Sequence, residues 1–364
     1  MKFSILQQDL LPSLQTLSRS VGIRSTLPVL DNILLSAEKD RLKLSATNLE
    51  IGVIKNIACK VLEEGEITVP SKTLLEIISG LGQTKVEIES TQDLLSVQAD
   101  KFKASLNTIP AAEFPTIPVS EGIEVKFPPE VIQNTQQILF AAAVDEGRPV
   151  LTGVLTEVKG GKLDLVATDG FRLAHRVSPV SKDAKPLRLL IPKKTYEELV
   201  RILPEEQVEE VGIATLQNQI VFNLGQTVVS SRLIEGVFPA WEKIIPTQRT
   251  TRCLIDKDVL LKGIKLSSVF AKSEAGVTVF SLSDSGLLLK SSAKELGSLE
   301  NQLDAQIEGE KLEVAFNSKF LQDAVSAAPS SQLMLEFSGP LSATLLKPVG
   351  VEGLEYIVMP LRLS

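Results

Sequence analysis

The chain has 364 residues, 43% of them hydrophobic and 23% charged, a balance that excludes disorder over most of its length. At roughly 100–150 residues per domain, that length implies two to four domains, and with only 4% aromatic residues their cores must be built from Leu, Ile, Val and Ala. A formal net charge of -7 argues against a basic coat over the whole surface, while leaving room for a basic face inside an acidic average.

In chain order, the first segment is polar and acidic where a signal peptide needs an apolar core, and no run approaches the ~18 apolar residues of a membrane span. A stripe of Leu6, Leu10, Leu14, Leu17 and Val21 predicts a helix. Alternation of Leu42, Leu44 and Ala46 predicts a strand over 41–47. Residues 67–72 (Ile-Thr-Val-Pro-Ser-Lys) predict a second strand that launches an amphipathic helix through Leu74, Ile77, Ile78 and Leu81. Proline or asparagine suits such a junction, because it stops the strand and tolerates the turn into a helix. Phe114-Pro115 then closes an extended run.

This plan recurs. Phe127, Val131, Thr135, Ile138 and Ala142 form the second opening stripe, and Ile255, Val259, Gly263, Leu266 and Phe270 the third. The strand at 41–47 returns at 162–168 with Leu163, Leu165 and Ala167, and again at 286–292. The launched helix returns after Pro192 (Tyr196, Leu199, Val200, Leu203) and after Asn317 (Leu321, Ala324, Val325, Ala328). Phe238-Pro239 and Met359-Pro360 repeat the closing pair. The copies are spaced by about 120 residues, one domain length each. They predict three similar domains, 1–120, 121–249 and 250–364, each holding two strand–helix–strand units, with short joints at 118–122 and 246–250. The class is α+β, with short helices on one face of the sheets. A repeat this long favours an arc closed by symmetry over an open solenoid.

Motifs for catalysis or metal binding are missing from the sequence. His175 is the only histidine and follows no GxSxG, which makes a structural or simply exposed role the expectation. Gly160-Gly161 belongs to no phosphate-binding pattern. Cys59 and Cys253 stand alone, without CxxC or a Cys/His cluster, which disfavours zinc and fits a reducing cytoplasm. Glu63-Glu64 and Glu205-Glu206 read as solvated loop charge. A hydrolase or transferase would need a convergent polar cleft for which no motif is present, and a scaffold that only binds peptides is another alternative.

Four stretches carry a resemblance: Thr26-Leu27-Pro28 after Arg24, the run Ala167-Thr168-Asp169-Gly170-Phe171-Arg172-Leu173-Ala174, Phe238-Pro239, and the ending Val358-Met359-Pro360-Leu361-Arg362-Leu363. With them the whole chain resembles the bacterial DNA polymerase III beta-subunit family, the sliding clamps. The resemblance implies three clamp-type domains and a head-to-tail homodimer that forms a six-domain ring around duplex DNA, helices lining the hole and sheets outside. It further implies a non-catalytic processivity subunit without cofactors, cytoplasmic and nucleoid-associated during replication. Phosphate neighbours would be Arg24, Lys72, Arg148, Lys193 and Lys194, and Lys72, Lys194 and Lys319 hold equivalent helix starts. Such a lining needs modest positive charge and reads no bases.

The resemblance also implies a pocket that holds polymerase, clamp loader and other partners by short linear motifs. Its residues would be Leu151, Thr168, Gly170, Phe171, Arg172, Leu173, Pro239, Lys243 and Ile244 from the middle domain. The last domain would add Asn317, Phe320, Ile357, Val358, Met359, Pro360, Leu361 and Arg362. An apolar slot with an adaptable Met and a few polar rim groups suits that task. Phe171 stands where some relatives carry histidine, and Lys243 where some carry arginine, which removes a bidentate donor. Ring closure would set Ala104 and Leu106 against Val269 and Phe270.

Overall fold

The computed structural model describes residues 1–22, 27–91, 93–120, 122–145, 147–271, 276–294 and 296–362. They pack as two compact units, Met1–Pro129 with Glu198–Leu233, and Glu130–Glu197 with Ile234–Ser364. The middle repeat contributes strands to both.

Six helices are present among the described residues: α1 (Gln7–Leu17), α2 (Ser71–Gly80), α3 (Pro129–Asn134), α4 (Lys193–Ile202), α5 (Lys257–Ala271) and α6 (Ser318–Ala327). As the launched-helix pattern requires, α2, α4 and α6 each begin directly after a strand, and Leu74, Ile78, Tyr196, Leu199, Leu321, Ala324 and Val325 are buried. The opening helices are less regular. The Phe127–Ala142 stripe is not one helix: α3 stops at Asn134, and single 3₁₀ turns follow at Thr135–Gln137 and Leu139–Ala141. The Thr135 hydroxyl donates to the Ile132 carbonyl (2.6 Å), and Ile138 at φ -121° leaves the helical region. Three-residue turns preserve the i, i+3 spacing, so Val131, Thr135, Ile138 and Ala142 are buried regardless. In α5 the predicted stripe holds only in part: Ile255 and Gly263 are buried, but Val259 and Leu266 are not. Leu260, Gly263, Ile264 and Ser267 point inward. Gly263 lets the helix lie close against its neighbours, because a Cβ there would come within 2.8 Å of Leu303 and 2.9 Å of Leu289.

In the first unit a five-stranded antiparallel sheet runs Lys60–Glu63, Lys2–Leu6, Lys85–Ser90, Leu94–Ala99, Phe102–Asn107. Its eight-stranded companion runs Val125–Phe127, Val211–Leu216, Gln219–Leu224, Thr227–Arg232, Ile51–Ala58, Arg41–Thr47, Asn32–Glu38, Gly65–Pro70. In the second unit a nine-stranded sheet runs Leu187–Pro192, Gly153–Lys159, Lys162–Thr168, Arg172–Pro179, Leu354–Val358, Thr344–Pro348, Gln332–Phe337, Thr251–Asp256, Gln306–Gly309. A four-stranded sheet runs Gly297–Leu303, Gly286–Ala293, Val277–Ser283, Leu312–Asn317. The two large sheets therefore each join consecutive repeats by one antiparallel seam: Thr227–Arg232 on Ile51–Ala58, and Leu354–Val358 on Arg172–Pro179.

The first seam is reinforced by an ion network. Lys55 Nζ lies 3.1 Å from Glu206 and 3.4 Å from Glu205, with the Lys55 and Glu206 side chains only 10% and 6% exposed. Thr227 donates to Glu206 (2.6 Å) and Thr16 to Glu205 (2.6 Å). Glu205-Glu206 is thus not the solvated pair that its neighbouring proline suggests.

One turn is built twice, at residues 47–51 and 168–172. In each copy the threonine hydroxyl donates to the carbonyl four residues on (2.9 Å for Thr47, 2.6 Å for Thr168). In each, one carboxamide or carboxylate oxygen accepts two following amides, Asn48 from Glu50 and Ile51, and Asp169 from Phe171 and Arg172. The central residue is left-handed, Gly170 at φ +91° and Leu49 at φ +72°, an unfavourable conformation for leucine. A strand-end amide then docks on the turn: Arg232 donates to the Glu50 carbonyl and Met359 to the Phe171 carbonyl, both at 2.9 Å.

Candidate functional site

The second copy of that turn is the centre of the candidate site, which lies wholly in the second unit. Its bracing leaves Phe171 pointing outward, 61% exposed on a backbone it cannot distort. The Phe171 ring stacks on Phe320 (centroids 6.1 Å apart, planes 23° apart). Asn317 positions Phe320 by capping α6, its Oδ1 accepting from the amides of Lys319 (2.9 Å) and Phe320 (3.3 Å). Arg172 is fixed from three sides. Its Nε donates to Asp169 (2.9 Å), its Nη1 to Asp323 (2.6 Å), and its guanidinium carbon sits 4.7 Å from the Phe320 centroid and 5.3 Å from that of Phe140. Phe140 in turn meets Tyr356 edge-on at 5.5 Å.

Beneath the turn, Leu151, Leu173 and Ile357 belong to one buried cluster with Leu155, Val166, Leu190, Phe238, Trp241 and Leu345. Thr168 and Val358 are buried too. Past Val358 the chain leaves the sheet, and the Leu361 amide donates to the Ala315 carbonyl (2.7 Å), holding Pro360 and Leu361 half-buried. Met359, Ile244, Pro239, Lys243 and Arg362 are exposed at the rim, as is the backbone of Gly170. The expected pocket residues therefore divide into an apolar floor, an Arg172–Phe320 brace, and an accessible rim dominated by Phe171, Met359 and Ile244.

The supporting residues Phe140, Asp323, Trp241 and Tyr356 escaped sequence reasoning. Asp169 alone had a signal, its place in the Thr-Asp-Gly turn. Of the expected phosphate neighbours, Arg24 lies outside the described residues. Lys72 and Lys194 are exposed in the first turns of α2 and α4, whereas Lys193 is half-buried, 3.8 Å from Glu197. Arg148 is exposed, and its Nη1 lies 3.7 Å from where a Cβ on Gly170 would stand, beside the docking turn. Lys319 pairs with Asp323 (3.2 Å). Of the expected closure residues, Val269 is half exposed and Phe270 half-buried on α5, Ala104 is half-buried on its strand, and Leu106 faces its own core opposite Leu95.

Both thiols are raised by burial, Cys59 to about 11, with Asp40 adding to it, and Cys253 to about 12. Among the described residues no group of three or more His, Cys, Asp or Glu could hold a metal ion, and no helix is long and apolar enough to cross a membrane.

Family models of the DNA polymerase III beta subunit match the chain three times: the N-terminal domain at residues 1–118, the central domain at 127–240 and the C-terminal domain at 242–362. The beta sliding clamp of Synechocystis sp. is 31% identical over 389 residues, and that of Pseudomonas aeruginosa 31% over 375, each match covering both chains fully. The crystal structure of the P. aeruginosa subunit superposes with a TM-score of 0.95 at 30% identity, and the Bacillus subtilis sliding clamp with 0.94 at 27%, again over all of both chains. From end to end, then, the chain belongs to the DNA polymerase III beta-subunit family, the beta sliding clamps, which serve DNA replication as non-catalytic processivity factors.

Proposed function

We propose that two copies of this chain close head to tail into a ring around duplex DNA, slide without reading sequence, and tether the replicative polymerase, the clamp loader and other proteins through the face around Phe171. The observation that carries ring closure is the repeated seam. Strand Thr227–Arg232 of the second repeat pairs with Ile51–Ala58 of the first, and Leu354–Val358 of the third with Arg172–Pro179 of the second. The strands left over in the same series are Phe102–Asn107 and Gly297–Leu303, each outermost in its sheet. A second copy supplies the missing partner, as a head-to-tail interface between two different edges does when its rotation closes into a ring. Transferring the first seam's register sets Ser105 opposite Ser298, as Ser230 is opposite Gly52. Exposed Lys103 then falls opposite exposed Glu300, a favourable cross-strand pair. Exposed Leu266 and Val269 on α5 are the apolar surface such a joint would cover.

The three domains are those read from the repeats, 1–120, 121–249 and 250–364. The DNA-facing group is Arg24, Lys72, Lys193 and Lys194, with Arg148. Lysine in a helix's first turn works against the helix dipole, so Lys72, Lys193 and Lys194 weaken their own helices and add to a positive end that suits phosphate. Contacts of that kind hold position on DNA without reading bases. For docking, the rim suits a short peptide with apolar anchors: rigid Phe171, adaptable Met359 and Ile244 around a dry floor. The P. aeruginosa clamp has been crystallised with griselimycin bound, and the same compound is a ready probe of this face. The protein would work in the cytoplasm, gathered on the nucleoid during replication.

The test is loading onto a nicked plasmid by a clamp loader, isolation by gel filtration, and a restriction cut. Retention on the circle with release after the cut supports encirclement. Retention after the cut means binding by contact and refutes it.

A further inference from the structure

The only histidine of the chain contacts the only tryptophan, under the docking face. His175 lies on the strand Arg172–Pro179, directly opposite Glu355 of the C-terminal strand Leu354–Val358. Its Nδ1 is 3.0 Å from Glu355 Oε1, its Nε2 is 2.8 Å from Asp164 Oδ1, and its ring packs on Trp241 at 4.4 Å between centroids. The side chain is 9% exposed.

Both ring nitrogens face carboxylate oxygens, which only accept. A neutral imidazole carries one N–H and can satisfy one of them, leaving a lone pair against the other. The imidazolium satisfies both. We propose that His175, as the imidazolium, is a positioning residue that clasps the C-terminal strand and Trp241 beneath the docking face, and that loss of its proton loosens that face. The partner consequence rests on the docking reading above; the clasp itself does not.

The groups facing the ring are few. Asp164 comes from the strand Lys162–Thr168 and Glu355 from the C-terminal strand, while the turn Trp241–Ile244 brings the uncharged indole and leaves Glu242 and Lys243 exposed. On its own strand, Arg176 is engaged elsewhere, donating to the Glu352 carbonyl. Burial alone would push the imidazole down, but its hydrogen bonds to Asp164 and Glu355 override that and hold it above its ordinary 6.5. A basic group raised on folding adds stability that is fully present below the unfolded value and is lost as pH rises through the folded one. The clasp therefore opens on the alkaline side. Trp241 sits on the turn that carries Lys243 and Ile244, and the Leu354–Val358 strand leads into Met359, so both ends of the rim are coupled to it.

Two readouts test this without any partner. Protonated imidazole quenches indole emission, so Trp241 fluorescence should rise in a one-proton transition with its midpoint above 6.5. H175Q should abolish the transition. Amide exchange at residues 356–359, corrected for intrinsic rates, should rise with pH above that midpoint, by at most about tenfold per unit, the limit for one proton. D164N should remove this rise while keeping the strand ordered, because an asparagine amide can donate to the neutral ring while the ring donates to Glu355. A midpoint at or below 6.5, a transition that survives H175Q, or corrected exchange that stays flat in the wild type would overturn the clasp. Should H175Q fail to fold, the wild-type titration and D164N decide the matter alone. Failure of the polymerase to be retained at any pH would instead refute the docking reading.

Discussion

Replacing Lys55 with methionine is the most direct perturbation of the seam between the first two repeats. The ammonium lies between two glutamates, and its side chain and that of Glu206 are almost fully enclosed. Methionine keeps most of the volume, so the effect is electrostatic and not a cavity. Breaking a buried pair by removing one partner costs about 3–5 kcal/mol, because the other charge is left uncompensated. Here Thr227 still donates to Glu206, and Glu205, whose side chain is 36% exposed, can turn to water, which places K55M near the low end, about 3 kcal/mol. E206Q should cost about 1 kcal/mol, since Lys55 keeps Glu205 and the amide still accepts from Thr227. The double variant should lie about 2 kcal/mol below wild type, a coupling of about 2 kcal/mol. Tryptophan and tyrosine emission cannot report this, because Trp241, Tyr196 and Tyr356 all belong to the other unit. Exchange protection of the amides of Thr227–Arg232 is the suitable assay. Additive single-variant effects would refute the reasoning, by showing that Lys55 and Glu206 do not depend on one another.

F171A should weaken polymerase binding by about 2 kcal/mol in calorimetry, as expected for an exposed aromatic anchor, while changing stability by less than about 0.5 kcal/mol. G309A should cost about 3 kcal/mol or more in urea unfolding, because Gly309 is left-handed (φ +105°) and a Cβ there would come within 2.0 Å of the Thr250 carbonyl oxygen. K103E and E300K should each weaken the dimer by about tenfold in sedimentation, and the pair together should restore it if the transferred register is right. Neither Cys59 nor Cys253 should react with iodoacetamide in the folded protein at neutral pH, since burial keeps both thiols protonated there, and both should react on unfolding.

Much of the architecture is legible in residue spacing. The twelve apolar positions behind α2, α4 and α6 predict those helices, because a short helix beside a sheet must bury one stripe and little else competes. The opening helices are harder, since the inward face of α5 is decided by packing on residues distant in sequence, such as Leu289 and Leu303 beside Gly263. The same limit applies to Glu205-Glu206, which look solvated until Lys55, some 150 residues earlier, is folded against them. In the candidate site, the Thr-Asp-Gly turn is local and readable. The Arg172 brace is not: Asp323 and Phe320 reach it from α6 and Phe140 from the turn Leu139–Ala141, two segments distant from it in sequence. The pocket residues came from the family resemblance, and no periodicity distinguishes the floor residue Leu173 from any other core leucine.

The duplicated turn has a consequence for how binding specificity can change. Residues 47–51 and 168–172 share their hydrogen bonds and the strand-end amide that docks on them, although one copy displays Glu50 and the other Phe171. The frame is thus indifferent to the side chain it displays. Behind the first copy, Gly52 leaves a space that the chain's own Ile117 fills, since a Cβ there would lie 2.6 Å from it; the equivalent position in the second copy is Leu173, part of the floor. Position 171 can therefore be exchanged among residues of different chemistry with little effect on folding. Lineages with the same scaffold are free to retune what they recruit one side chain at a time.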